Sequence, residues 1–471
     1  MKDAPQTAHE EVRLVLIRPG SEEILISGGQ RGCVLPSVYI PAYSRHAEEV
    51  IAAALRQHHL ETYCLFTVPA DSEPLPSHHY SFSCLSARDA APPAGFEWTA
   101  ADSVAREQFE DQGDFNALKA GFEVIRKCQR EPQSGYFGRP GWLDEITDWI
   151  RRQVLRPELR LTGKFAQLNA SPATTLVRFE TDVSAFWFKA VGEPNTREFP
   201  ITLYLARHFP EFVPAVVRTH DESNGWLTEE VPGRHLDSDS DPAMWIAVAD
   251  SLARLQTMTI GHSLPLAAAG CIDVRSHSLL EAVEPFLEVM AGLMDEQTKI
   301  HPAPLTRTEL KSLETILLDA IASVDALDVP PALVHLDFNL GNILTSPDRI
   351  VFLDWAAAAI GNPLFTFEYL LEQLRTLRPT DRTLQSEVSS AYTRRWRAFF
   401  GGDDLARALS AAPLLAAFSY ATSGGDWRDP ARRSSPAAAG HLRSLTRRMK
   451  READLWASGA THGAALFLQS R

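Results

Sequence analysis

The stretch Leu333-Val-His335-Leu-Asp337-Phe-Asn-Leu-Gly-Asn342-Ile-Leu-Thr-Ser-Pro-Asp-Arg-Ile-Val-Phe-Leu-Asp354-Trp gathers two carboxylates, an amide and a histidine in a form that could do chemistry. Ser346-Pro-Asp-Arg349 suits a type I turn, with proline at its second position. The turn joins Ile343–Thr345 antiparallel to Ile350–Phe352. If Thr345 faces Ile350, Asn342 falls opposite Leu353, and Asp354 emerges at the same open end. Asp337 precedes Asn342 in a glycine-containing loop and can point at the same space. A carboxylate base, an amide and a second carboxylate suit a site for Mg²⁺, which takes few protein oxygens and completes its shell with substrate phosphates. Each residue also has a plain reading: Asp337 as a turn residue, Asn342 as an Asx-turn, and His335 as a satisfied core histidine, which is the expectation for His335.

In its pattern His335-x-Asp337-x-x-x-x-Asn342, with Leu353-Asp354-Trp355 downstream, the stretch resembles the aminoglycoside phosphotransferase and choline kinase superfamily, a branch of the protein-kinase-like fold. The resemblance implies an ATP- or GTP-dependent, Mg²⁺-dependent transfer of the terminal phosphoryl group to a hydroxyl of a small molecule, such as an aminoglycoside, a sugar or an amino alcohol. It implies that Asp337 positions or deprotonates the acceptor, that Asn342 and Asp354 hold magnesium, and that His335 buttresses the loop. Such catalysis is mainly positioning and charge neutralisation.

A kinase-like fold also needs a strand lysine and a helix acid. Ala185-Phe-Trp-Phe-Lys189 supplies the first, for the α and β phosphates, and Glu198 at the start of the next helix supplies the second. Lys189 would equally end a strand by snorkelling to solvent, and Glu198 would equally complement the helix dipole. Gly225-Trp-Leu-Thr-Glu229-Glu230-Val231-Pro-Gly233 resembles the hinge whose backbone bonds adenine, with Glu229, Glu230 and Val231 as candidates; an ordinary strand entering a Pro-Gly turn has the same backbone. Asn169–Thr175 stands where a glycine-rich phosphate-covering loop would lie but contains no glycine, so phosphate contact by Ser171 or Thr174 and a plain hairpin loop both fit. Two positions depart from the family pattern. Asn339 replaces a frequent second histidine, and Thr366 replaces an aspartate that anchors the C-terminal lobe.

The elements around these residues predict an α+β chain: a two-lobed protein-kinase-like fold, with a small antiparallel-sheet lobe and a mostly helical lobe, preceded by a small α/β domain. Lys164–Leu168, Thr174–Phe179 and Ala185–Lys189 read as three antiparallel strands. Helices are expected over Trp142–Leu155, Pro242–Met258, Leu279–Met294 and Thr306–Ala326. The turn-rich segment Glu131–Gly141 marks a boundary. The expected domains are residues 1–130, a linker at 131–141, an N-terminal lobe with hinge at 142–231, and a helical C-terminal lobe at 232–471.

Residues 1–130 read as a hairpin (Val12–Ile17, Glu23–Ser27), a helix from His46 to His59, strands at Leu65–Val68 and Tyr80–Leu85, and an amphipathic helix Phe115–Cys128. This order resembles the Nudix hydrolase fold, whose helix collects magnesium on paired glutamates. Ala53-Ala-Leu-Arg-Gln-His-His59 lacks them, with Glu48 and Glu49 a turn and a half earlier, so a degenerate, catalytically silent Nudix-like domain is expected.

The 471 residues suit two to four units, at roughly 100–200 residues each. Lys and Arg number 46 against 60 Asp and Glu, a net charge of −14 that disfavours nucleic acid as a partner. The five cysteines show no CxxC or zinc spacing. With no signal-like start and no membrane-length apolar run, the expectation is a cytoplasmic protein that meets no membrane. The basic run Arg428–Arg451 is read as a solvated helix face. The acceptor would be set by about 237–302 and 381–455, where Asp237, Asp239 and Asp241 either attract a cationic acceptor or form a solvated loop. A second overall reading, a catalytically silent nucleotide-binding scaffold, is opposed by the intact Lys189, Asp337, Asn342 and Asp354.

Overall fold

A computed structural model describes residues 9–29, 31–42, 44–69, 80–88, 91–131, 135–154 and 159–459. Residues 132–134 of the expected linker and Leu155 of the expected helix lie outside them. The class is α+β, and the chain divides into two compact units, Met1–Phe199 with Ala215–Glu230, and Pro200–Pro214 with Val231–Arg471.

In the first unit, a seven-stranded sheet is built around the strand His9–Ile17. That strand pairs in parallel with Tyr80–Ala87 and antiparallel with Ser37–Pro41 and Glu23–Gly28. Its side chains alternate between two cores, as period two requires. Val12, Leu14 and Leu16 pack with Val50, Ala53 and Ala54 of the helix His46–His58. Val15 and Ile17 pack with Leu118, Phe122 and Ile125 of the helix Gln112–Arg130. Both faces are thus covered, which explains the near-continuous apolar run from Val12 to Ile17.

The second of these cores also takes Tyr136 and Phe137, then Trp142, Leu143, Ile146 and Ile150 of the helix Trp142–Gln153, and Val177, Phe179, Phe186 and Phe188 of a five-stranded antiparallel sheet. Tyr136–Gly138 is a short 3-10 turn buried against Cys128, where a Cβ on Gly135 would sit 2.5 Å from the Cys128 sulfur. The five-stranded sheet runs Val216–His220, Gly225–Glu229, Ala185–Ala190, Thr175–Thr181, Leu161–Ala170. A buried amide ties the two sheets: Gln167 Oε1 accepts the Cys64 N–H at 2.9 Å and Gln167 Nε2 donates to the Cys64 carbonyl at 2.8 Å.

The second unit is mostly helical, around one large core. Its helices start where the local chemistry dictates. Asp241 caps Pro242–Thr259 through the Ala243 N–H, and Thr306 with Glu309 forms a capping box on Arg307–Asp325. Asp237 is spent locally too, since its carboxylate accepts from Ser240 Oγ and the Asp239 N–H, and these bonds hold it below the usual carboxylate range. Two small sheets interrupt the helices, Arg234–His235 with Ile343–Thr345 and Ile350–Phe352, and Ile272–Val274 with Ala358–Gly361 and Ala332–His335. Among the described residues no helix is long and apolar enough to cross a membrane. The basic run resolves into individual ties, including Arg448 to Glu372 at 2.5 Å, Lys450 to Asp454 at 2.6 Å and Arg443 to the Leu293 carbonyl at 3.2 Å.

Gln167 is 2% exposed, so Gln167→Leu would leave the Cys64 N–H and C=O buried without partners. The expected loss is about 2–4 kcal/mol. Urea unfolding followed by tryptophan fluorescence checks it; an unchanged midpoint would mean that the Cys64 backbone finds other partners.

Candidate functional site

The residues expected to do chemistry fall into two groups, one in each unit. In the first, Lys189 lies near the end of Ala185–Ala190, the central strand of the five, opposite Leu176 and Trp226. Its Nζ is 2.5 Å from Glu198 Oε1. Glu198 opens the helix Glu198–His208 and is 2% exposed, and a carboxylate so buried needs partners of opposite charge, of which Lys189 is one. Of the two sequence alternatives for Glu198, the geometry realises the ion pair as well as the helix-start position.

At Glu229 and Glu230 the sheet register sorts the backbone. Glu230 donates its N–H to the Ala185 carbonyl at 3.0 Å and so faces the central strand. By the alternation of antiparallel ladders, the N–H and C=O of Glu229 turn the other way. The Glu230 side chain is held by Arg178 in a bidentate pair of 2.6 and 2.9 Å, which lowers its carboxyl below the ordinary range. Val231 follows directly, at the start of the second unit. Ser171 and Thr174 bond each other, hydroxyl to hydroxyl at 2.8 Å, with the Thr174 N–H on Ser171 Oγ at 2.9 Å. The hairpin-loop reading accounts for both.

In the second unit, Ile343–Thr345 and Ile350–Phe352 pair with Thr345 opposite Ile350, and the Leu353 N–H donates to the Asn342 carbonyl at 2.9 Å. Asn342 and Asp354 therefore leave the same open end of the hairpin. Asp354 itself has φ 59° and ψ 73°, a left-handed backbone that aspartate tolerates better than most residues. Such a conformation in a non-glycine residue points to a functional demand.

The loop before the hairpin is held by its own amides. Asn342 Nδ2 donates to the Asp337 carbonyl at 2.9 Å, and Asn339 Nδ2 to Asp337 Oδ1 at 3.1 Å. With its nitrogen used, Asn342 offers its amide oxygen elsewhere. That oxygen and the Asp354 carboxylate are a hard donor set that fits Mg²⁺, an ion needing only one or two protein ligands beside phosphates. Among the described residues no three His, Cys, Asp or Glu side chains group as a metal site, so a fully protein-built cage is not offered.

His335 is 1% exposed and spans the site from below. Its Nε2 lies 2.9 Å from the Leu353 carbonyl, which can only accept, so Nε2 carries the proton. Its ring also packs on Trp355 at 4.8 Å between centroids. Three supports escaped the sequence reading of the site. Thr366, noted only as a departure, accepts the His335 N–H on Oγ1 at 2.8 Å while fully buried. Gln373, on the same helix Leu364–Leu377, donates to the Phe338 carbonyl at 2.6 Å and accepts the Leu340 N–H at 3.0 Å. Tyr420 is raised above its usual pKa by burial and then by the charge of Asp337. The two-turn spacing from Thr366 to Gln373 is the one signal that would have found Gln373.

Thr366→Val should leave the buried His335 N–H unpaired and cost about 1–3 kcal/mol, with Thr366→Ser close to the parent. Denaturant titration reads the difference, and equal midpoints for Val and Ser would remove the anchoring role.

Residues 192–409 match the phosphotransferase enzyme family. No curated protein matches the sequence. Similar solved structures include a macrolide 2′-phosphotransferase from Brachybacterium faecium (18% identity, 64% of this chain, 97% of that one, TM-score 0.41). Others are an ethanolamine kinase of Plasmodium vivax (12%, 67%, 90%, TM-score 0.47) and a choline kinase of Streptococcus pneumoniae (14%, 67%, 99%, TM-score 0.40). The matched stretch, which contains Glu198, Asp337, Asn342 and Asp354, is similar to the phosphotransferase enzymes.

Proposed function

We propose that the protein transfers the terminal phosphoryl group of ATP or GTP, with Mg²⁺, to a hydroxyl of an aminoglycoside-like molecule, a sugar or an amino alcohol. The observation that carries this reading is the loop in which Asn342 and Asn339 hold Asp337 while the hairpin brings Asn342 and Asp354 out at one end. Asp337 would orient the acceptor hydroxyl and take its proton as the oxygen attacks the γ-phosphorus, the nucleoside diphosphate leaving. Lys189, kept in place by Glu198, would contact the α and β phosphates, and the backbone of Glu229 and Val231 would bond the base; Glu230, engaged with Ala185 and Arg178, would only shape that turn. Magnesium held by Asn342 and Asp354 would neutralise charge on the transferred group.

We keep the boundaries 1–130, 131–141, 142–231 and 232–471 as a proposal, with residues 1–130 a Nudix-like domain without hydrolase activity. Its helix His46–His58 has Glu48 and Glu49 in the first turn and no acidic residue beyond. The cytoplasm suits the five free thiols of the whole chain.

Thermal unfolding with ATP and with GTP, each with and without Mg²⁺, tests the nucleotide site. A ligand at about 100 times its Kd stabilises by about 2.7 kcal/mol, so a clear magnesium-dependent rise in Tm is expected and should vanish in Asp354→Ala. The same rise in Asp354→Ala would sink the metal role, and no rise in the parent would favour the silent scaffold. Once an acceptor is found by screening, Asp337→Ala should lower kcat by about 10²–10⁴ while nucleotide affinity stays within about threefold; undiminished turnover removes Asp337 as base.

A further inference from the structure

The first unit contains a cavity of about 370 Å³ that none of the chemistry above uses. One wall is the helix His46–His58, through Ile51 and Leu55, and another is the strand Leu161–Ala170, through Lys164 and Phe165. Thr62 and Arg88 also line it. Thr62 is 2% exposed, and its Oγ1 is buried with no hydrogen-bond partner among the described residues. A hydroxyl withdrawn from water without a partner is costly, and native structures rarely leave one so.

Other polar groups line the same cavity. The Arg88 guanidinium lies 5.3 Å from the centre of the Phe165 ring. Its ion pair with Glu61 is long, 3.8 Å, and the Glu61 side chain is 66% exposed, so the pair is weak and Arg88 can engage another anion. Lys164 is exposed, with no ion pair for its ammonium among the described residues. Arg178, by contrast, is taken by Glu230. Leu55 remains 49% exposed although the cavity is beside it. A few convergent polar groups over an apolar floor, in a volume of this order, characterise a small-molecule site.

We propose that this cavity binds a small organic anion with a flat, apolar body. The anionic group pairs with Lys164 and Arg88, and the flat body lies over Leu55 and Phe165. Glu61 and Glu180 also line the cavity and would repel a triphosphate, so one anionic group is specified. An aromatic carboxylate and a nucleoside monophosphate share this chemistry. The site is independent of the phosphoryl-transfer reading and adds a binding function to the N-terminal half.

Calorimetric titration of the full chain with 2-naphthoate and with AMP tests it. At least one probe should bind with a Kd below about 1 mM. Lys164→Glu should weaken it about tenfold, and the surface change Leu55→Arg should weaken it as well. Asp354→Ala should leave the titration unchanged, which separates this site from the proposed nucleotide site. If naphthoate obeys this pattern the ligand is a carboxylate, and if AMP does it is a phosphate. Absence of binding by both probes, indifference to Lys164→Glu and Leu55→Arg, or loss of AMP binding in Asp354→Ala overturns the proposal.

Discussion

The hydrogen bond from His335 Nε2 to the Leu353 carbonyl is the constraint on which the proposed site rests. It joins the end of one strand, Ala332–His335, to the residue just before Asp354, so the loop bearing Asp337 and the turn bearing Asp354 cannot drift apart independently. The bond survives because the ring is buried and its own backbone N–H is satisfied by Thr366. In a low-dielectric interior such a chain of bonds is rigid when every member is paired and fragile when one is not. Gln373 extends the support by holding the loop backbone at Phe338 and Leu340.

The first unit solves a different problem, that of keeping a charge on a strand otherwise devoted to packing. Lys189 follows Phe186 and Phe188, both buried, and its charge is balanced by a glutamate almost without solvent contact. The surrounding sheet is made stiff by the core that it shares with the helices Gln112–Arg130 and Trp142–Gln153, and by the Gln167 bridge to Cys64. Aromatic residues in an otherwise turn-forming segment, Tyr136 and Phe137, draw that segment into the same core.

Much of this was legible in the residues because the governing interactions are short in sequence. The register of Ile343–Thr345 on Ile350–Phe352 follows from the length of the turn between them, and the capping box at Thr306 and Glu309 from a three-residue spacing. The pairing of Lys189 with Glu198 spans nine residues across one turn and one helix start. Thr366 drew notice only as a departure, whereas its value lies in an acceptor oxygen that reaches a backbone amide 31 positions away. Glu230 was grouped with Glu229 because a sequence does not display which way each peptide turns.

The sequence by itself determined the types of group available and their local register: the carboxylates, the amide, the strand lysine, the hairpin and the helix starts. These depend on alternation, turn geometry and capping, all of which act over a few residues. Only the tertiary structure decided which groups are held and by what, as with Thr366 under His335, Gln373 under the loop, and Arg178 on Glu230. Those choices turn on directional bonds between residues distant in sequence, where a side chain's reach and burial, rather than its type, select the partner.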